Sequence, residues 1–130
     1  MIFLFVMIAN YKNLVKCFPK YIQKRLPPKV ALIEISKEKS QELNRRYRKK
    51  NKPANVLSFR YGKDYGEILL CPEVIKKEAK LAGNSQKYQM TWMVIHAMLH
   101  LGGIHHERSG AMARKVEKLE EKILKQLERK

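Results

Sequence analysis

The chain predicts a single domain that interleaves strands and helices around one buried helix carrying a metal site. Three observations carry that expectation. A length of 130 residues suffices for one apolar core without disulfide staples. Short apolar runs alternate with longer amphipathic ones along the chain. All four histidines, His96, His100, His105 and His106, fall in one eleven-residue stretch. No internal repeat, low-complexity tract or long linker divides the sequence, so residues 1–130 are read as one domain.

The elements follow in order. Ile2 to Ile8 is rich in Ile, Phe and Val and reads as a first strand; it lacks the basic start and cleavage site of a signal peptide and is too short to span a bilayer. Lys12 to Arg25 predicts a helix broken before Pro19, and Pro27-Pro28 separates it from a second strand at Val30 to Ile35. Ser36 can cap a helix from Lys37 to Arg48, with Glu38 near its start and arginines at its end, as the helix dipole prefers. Lys49 to Pro53 is a polar turn. Val56 to Tyr61 alternates apolar and polar residues as a half-buried strand, and Gly66 to Cys71 follows as another.

Pro72 fits the first turn of a helix that runs to about Ala82 and stops at Gly83-Asn84. From Gln89 to Leu101 the sequence is again helical, and Met90-Thr91-Trp92-Met93-Val94-Ile95 is apolar almost all the way round, the mark of a helix buried in the core. Finally, Ala111 to Leu127 places Met112, Val116, Leu119, Ile123 and Leu127 at three- and four-residue intervals with charges between them, an amphipathic packing helix.

His96 and His100 lie four apart on the buried helix, so both imidazoles face the same side one turn apart and can reach one ion. Gly102 and Gly103 end that helix and permit the positive φ that returns the chain toward the ion, where His105 or His106 supplies a third nitrogen. Three neutral nitrogen ligands suit Zn(II) and leave a fourth position open, the arrangement of a working rather than a structural site. Cys17 and Cys71 are far apart without C-x-x-C spacing, which excludes a thiolate-rich structural site and fits a reducing cytosol.

With 28 Lys and Arg against 12 Asp and Glu, the formal charge of +16 points to polyanions as partners. No basic amphipathic helix with aromatic anchors favours a membrane surface, so nucleic acid leads. The histidine spacing is that of a metzincin protease, but such enzymes need Glu directly after the first histidine, and this chain has Ala97 there. A basic chain without that carboxylate base suits phosphodiester hydrolysis better. Arg45, Arg46, Arg48 and Arg60 are the candidates to bind phosphate oxygens, and their spacing does not rank them.

Leu43-Asn44-Arg45-Arg46-Tyr47-Arg48, Asn55-Val56-Leu57-Ser58-Phe59, Gly66-Glu67-Ile68 and the histidine block together resemble the YbeY family of zinc-dependent rRNA maturation endoribonucleases, over about Gln41 to Leu127. The resemblance implies an α+β fold with a mainly parallel, mixed sheet of about four strands packed with several helices. It implies one Zn2+ per chain held by His96, His100 and His106, and a catalytic role for Arg48, where the motif L-N-x-x-Y-R ends. Single-stranded RNA would be the substrate, the small-subunit rRNA 3′ end its source, and ribosome quality control a setting. Small-subunit ribosomal proteins and assembly factors would be partners and the cytoplasm the location. The chain departs from the family pattern H-G-x-L-H-L-x-G-Y-D-H at Ala97, Ile104 and His105, and it has Ala54 in place of Thr. His105 replaces an acid and sets an imidazole, a potential proton shuttle, beside the third ligand. A non-catalytic, zinc-containing rRNA-binding assembly factor is the alternative, and a zinc metalloprotease the weaker one.

Overall fold

Helix Gln86–Leu101 is the axis of the molecule, because nearly every side of it is apolar. Ser85 caps it by accepting a hydrogen bond from the Tyr88 amide at 3.0 Å, so the helix starts one turn before the apolar run that marks it in the sequence. Around it, in a computed structural model that describes residues 11–104 and 110–128, stand the other elements. They are α1 (Tyr11–Lys16), α2 (Lys20–Gln23), β1 (Lys29–Glu34), α3 (Lys37–Arg48), β2 (Val56–Tyr61), β3 (Tyr65–Leu70), α4 (Pro72–Ala82), the axial α5 (Gln86–Leu101) and α6 (Gly110–Glu128). Pro19 breaks the first helical stretch into α1 and α2, as expected.

The described residues hold a three-stranded mixed sheet in the order β1-β3-β2, with β1 and β3 parallel and β2 and β3 antiparallel. The fourth expected strand, Ile2 to Ile8, lies outside the described residues, and the sheet seen here is evenly divided between the two pairings rather than mainly parallel. Val30, Leu32, Ile68, Leu70 and Val56 from the strands join Met90, Val94, Ile95, Met98 and Leu99 of α5 in one core. Gly66 allows close approach of the sheet to the end of α5: a Cβ there would stand 3.3 Å from both Leu101 methyls and from Pro27 Cγ.

Helix α6 closes the core with Val116, Ile123 and Leu124. Two positions depart from its expected stripe. Met112 is 41% exposed, and Glu120, read from the sequence as one of the intervening charges, is buried. Among the described residues no helix is long and apolar enough to cross a membrane.

Candidate active site

The buried carboxylate has a specific task. Glu120 Oε2 lies 2.8 Å from His96 Nδ1, and Glu120 Oε1 accepts a hydrogen bond from Trp92 Nε1 at 3.0 Å. Trp92 and His96 are four apart on α5, so one carboxylate of α6 grips two successive turns of the histidine helix. A carboxylate only accepts, so the Nδ1 proton sits on this contact, and Nε2 is the ring nitrogen that could hold a metal. The rings of His96 and His100 stack obliquely, centroids 4.6 Å apart, as the four-residue spacing predicts.

Both rings line a cavity of about 680 Å³, whose other walls include Tyr47, Arg48, Asn55, Ser58, Phe59 and Ala97. The far wall is fixed by polar bonds from α3. Ser40 Oγ donates to the Ala54 carbonyl at 2.7 Å and accepts from the Ala54 amide at 2.8 Å, while Asn44 Nδ2 donates to the Lys52 carbonyl at 2.8 Å. Main-chain groups of residue 54 make these bonds, which is how Ala serves there. Asn55 is held by Glu78 of α4 at 2.9 Å. Helix α3 stops immediately after Arg48 because Lys49 takes a left-handed cap conformation at φ 58°. Arg48 therefore projects from the last helical position onto the cavity, with Tyr47 against Phe59 in an edge contact at 5.3 Å.

The four candidate arginines are thus separated: Arg45 is exposed on α3 and does not line the cavity. Arg48 lines the cavity, and Arg46 pairs with Glu42 on the exposed face of α3 at 3.1 Å. Arg60 donates to main-chain carbonyls: Leu101 at 2.7 Å, Gly62 at 2.8 Å, Lys63 at 3.3 Å and Arg25. Its cation at the C-terminus of α5 complements the dipole of the histidine helix and ties the β2-β3 turn to it. Arg60 is a clamp on the fold.

Beyond His100 the chain turns as expected. Gly103 adopts φ 82°, its amide donates to the His100 carbonyl at 2.9 Å, and the Ile104 amide donates to Leu99 at 2.9 Å, a Schellman turn. His105 and His106 lie outside the described residues, and among the described residues no three His, Cys, Asp or Glu side chains form a metal-holding group. The donors that are described fit Zn(II): two imidazoles one turn apart on a buried helix, the first oriented by a buried carboxylate in the manner of zinc-ligand histidines. Sequence reasoning missed Glu120, Trp92 and Asn55. The signal for Glu120 was its position, four residues from both Val116 and Leu124 on the apolar stripe.

The family model for endoribonuclease YbeY matches residues 6–128, reaching well before the motifs that carry the resemblance in the sequence. An endoribonuclease YbeY of Buchnera aphidicola is 38% identical over 129 residues, 88% of this chain and 83% of its own. The endoribonuclease YbeY of Thermosipho melanesiensis is 38% identical over 95 residues, covering 72% of this chain and 69% of the relative. The solution structure of TM1509 from Thermotoga maritima superposes with a TM-score of 0.57 at 27% identity, over 90% of this chain and 83% of that one. With its mixed α+β architecture and a cavity that joins the paired histidines to Arg48, the chain belongs to the YbeY family of endoribonucleases, which are nuclease hydrolases.

Proposed function

We propose that this protein is a zinc-dependent endoribonuclease that hydrolyses phosphodiester bonds in single-stranded RNA. Maturation of the small-subunit rRNA 3′ end and ribosome quality control are its setting, in the cytoplasm and alongside small-subunit ribosomal proteins and assembly factors. The observation that carries this reading is the placement of Arg48 on the same cavity as His96 and His100, in a chain with a formal charge of +16.

His96 and His100, with His106 from beyond the Gly103 turn, would hold one Zn2+. When bound, the ion supplies Lewis acidity toward a phosphoryl oxygen and lowers the pKa of water to near ~7. Arg48 takes the non-bridging phosphate oxygens through its guanidinium fork and compensates the charge that accumulates on them as the P–O bond breaks. Glu120 holds the His96 ring in one tautomer and orientation while Trp92 holds Glu120. Ala97, buried and lining the cavity next to His96, offers no proton acceptor, which disfavours peptide hydrolysis.

An RNA cleavage assay on wild type, Arg48→Ala and His100→Ala tests the proposal against a non-catalytic assembly factor that only binds rRNA. The enzyme reading expects cleavage by the wild type alone. Intact RNA with all three proteins while zinc stays bound to the first two sinks it, as does cleavage indifferent to both substitutions. A 2′,3′-cyclic phosphate among the products would replace water by the RNA 2′-hydroxyl as the nucleophile.

A further inference from the structure

The cavity continues onto an aromatic face of the sheet that the hydrolytic site does not use. Side chains alternate along a strand, so Leu57, Phe59 and Tyr61 of β2 share one face. Their partners across the ladder, Leu69, Glu67 and Tyr65 of β3, share it too, as do Ile33, Ala31 and Lys29 of β1. Burial falls along β2 from Leu57 toward the turn. Phe59 lines the cavity, and Tyr61 stands one step further out on the same face, about 7 Å along the strand.

The outer row consists of Lys29, Tyr65 and Tyr61. Tyr61 and Tyr65 are 55% and 38% exposed and stack on each other at 5.8 Å with planes 26° apart. Both hydroxyls donate to Glu67, Tyr61 to Oε1 at 3.0 Å and Tyr65 to Oε2 at 3.1 Å. The carboxylate thus pins the ring edges and holds the exposed faces in place. Tyr47, 59% exposed, and Phe59 connect this row to Arg48 and the histidines.

We infer that Tyr61 and Tyr65, continuing from Tyr47 and Phe59, form a base-stacking track for single-stranded RNA that leads the strand into the cavity. An aromatic ring offers every base a π face, whereas paired bases in a duplex are already stacked, so such a track selects unpaired RNA without reading sequence. Lys29, exposed beside Tyr65 in the outer row, supplies a cation for the backbone of the stacked strand. The inference rests on the endoribonuclease reading and adds to it the residues that engage the substrate outside the reacting cavity. A cross-strand pair that merely braces the hairpin would need only apolar contact, and that difference makes the two roles separable.

The test is the affinity of a fluorescent, cleavage-resistant 2′-O-methyl phosphorothioate oligouridylate of about twelve nucleotides, measured by anisotropy on the zinc-loaded protein. The double substitutions Tyr61→Leu with Tyr65→Leu and Tyr61→Phe with Tyr65→Phe are compared with Arg48→Ala, and each fold is checked by thermal melting. The track predicts that the Leu pair loses about tenfold or more in affinity and that the Phe pair keeps most of it, with both folded. It also predicts that a cleavage-resistant oligouridylate of about three nucleotides, filling only the cavity, binds the Leu pair as it binds the wild type. Wild-type affinity in the Leu pair, alongside a loss in Arg48→Ala, overturns the track and leaves the active-site reading standing. Absence of binding by the wild type overturns both.

Discussion

On one wall of the cavity, His96 and His100 stand on a helix whose Val94, Ile95, Met98 and Leu99 are fully buried, and a buried carboxylate grips the first histidine. On the opposite wall, Tyr47 and Arg48 end a helix whose last turn is exposed, and a few bonds from Ser40 and Asn44 position the loop that follows. The first wall is packed as a core is, so its donor atoms are set before any ligand arrives. The second presents long, solvated side chains that can close on a substrate. Under the proposed function, pre-organised ligation and adaptable substrate contact are built from different materials, and substitutions on the two walls should fail in different ways.

The largest effect is expected on the packed wall. His100→Ala should abolish stable zinc binding and lower RNA cleavage by at least about a thousandfold, read by metal analysis and single-turnover kinetics. Arg48→Ala should cost about a hundredfold to a thousandfold in cleavage while zinc content and melting temperature stay at wild-type values. Loss of zinc in Arg48→Ala would break the division between the walls.

Glu120→Gln sharpens the comparison, since the amide keeps the volume and loses the charge. Zinc affinity should fall by about tenfold to a hundredfold, measured by chelator competition. Glu120→Ala should in addition destabilise the fold by about 1–3 kcal/mol, because it leaves the Trp92 N–H without its acceptor. Arg60→Ala is the control for the arginines: a stability loss of about 1–2 kcal/mol in denaturant titration, with cleavage per folded molecule near wild type.

The smallest effect concerns Tyr11, whose hydroxyl donates to the Pro27 carbonyl at 2.7 Å and whose pKa burial raises from 10.0 to about 12, slightly opposed by Arg60. Because the folded value lies above the unfolded one, the contribution of the neutral phenol is complete below about pH 10 and is lost as pH rises toward 12. Tyr11→Phe should cost about 1 kcal/mol at neutral pH and flatten that alkaline decline in a series of melts.

Most of the scaffold was legible because local chemistry and global packing agree. Ser36 caps α3, Pro19 breaks the first helix, and the Gly102-Gly103 pair makes the turn after His100. The buried histidine helix was legible from its apolar circumference. Glu120 was not, because a charge at an apolar-stripe position reads as solvated until its partners Trp92 and His96, on another helix, are in place. Spacing and charge could not rank the arginines for the same reason, and only the family motif singled out Arg48: Arg48 and Arg60 differ in what the fold brings to them, a cavity in one case and the carbonyls of Leu101 and Arg25 in the other. Met112 missed the core because the stripe of α6 begins a turn later, at Val116.

The central claim, that the histidine wall holds a catalytic zinc beside Arg48, is tested most directly by titrating zinc into metal-free protein while following both bound metal and RNA cleavage in the same samples. The expected result is cleavage that is absent without metal, rises with zinc and saturates at one ion per chain, with Arg48→Ala saturating identically but cleaving little. Full cleavage by the metal-free protein, or saturation with zinc that brings no cleavage, would contradict it.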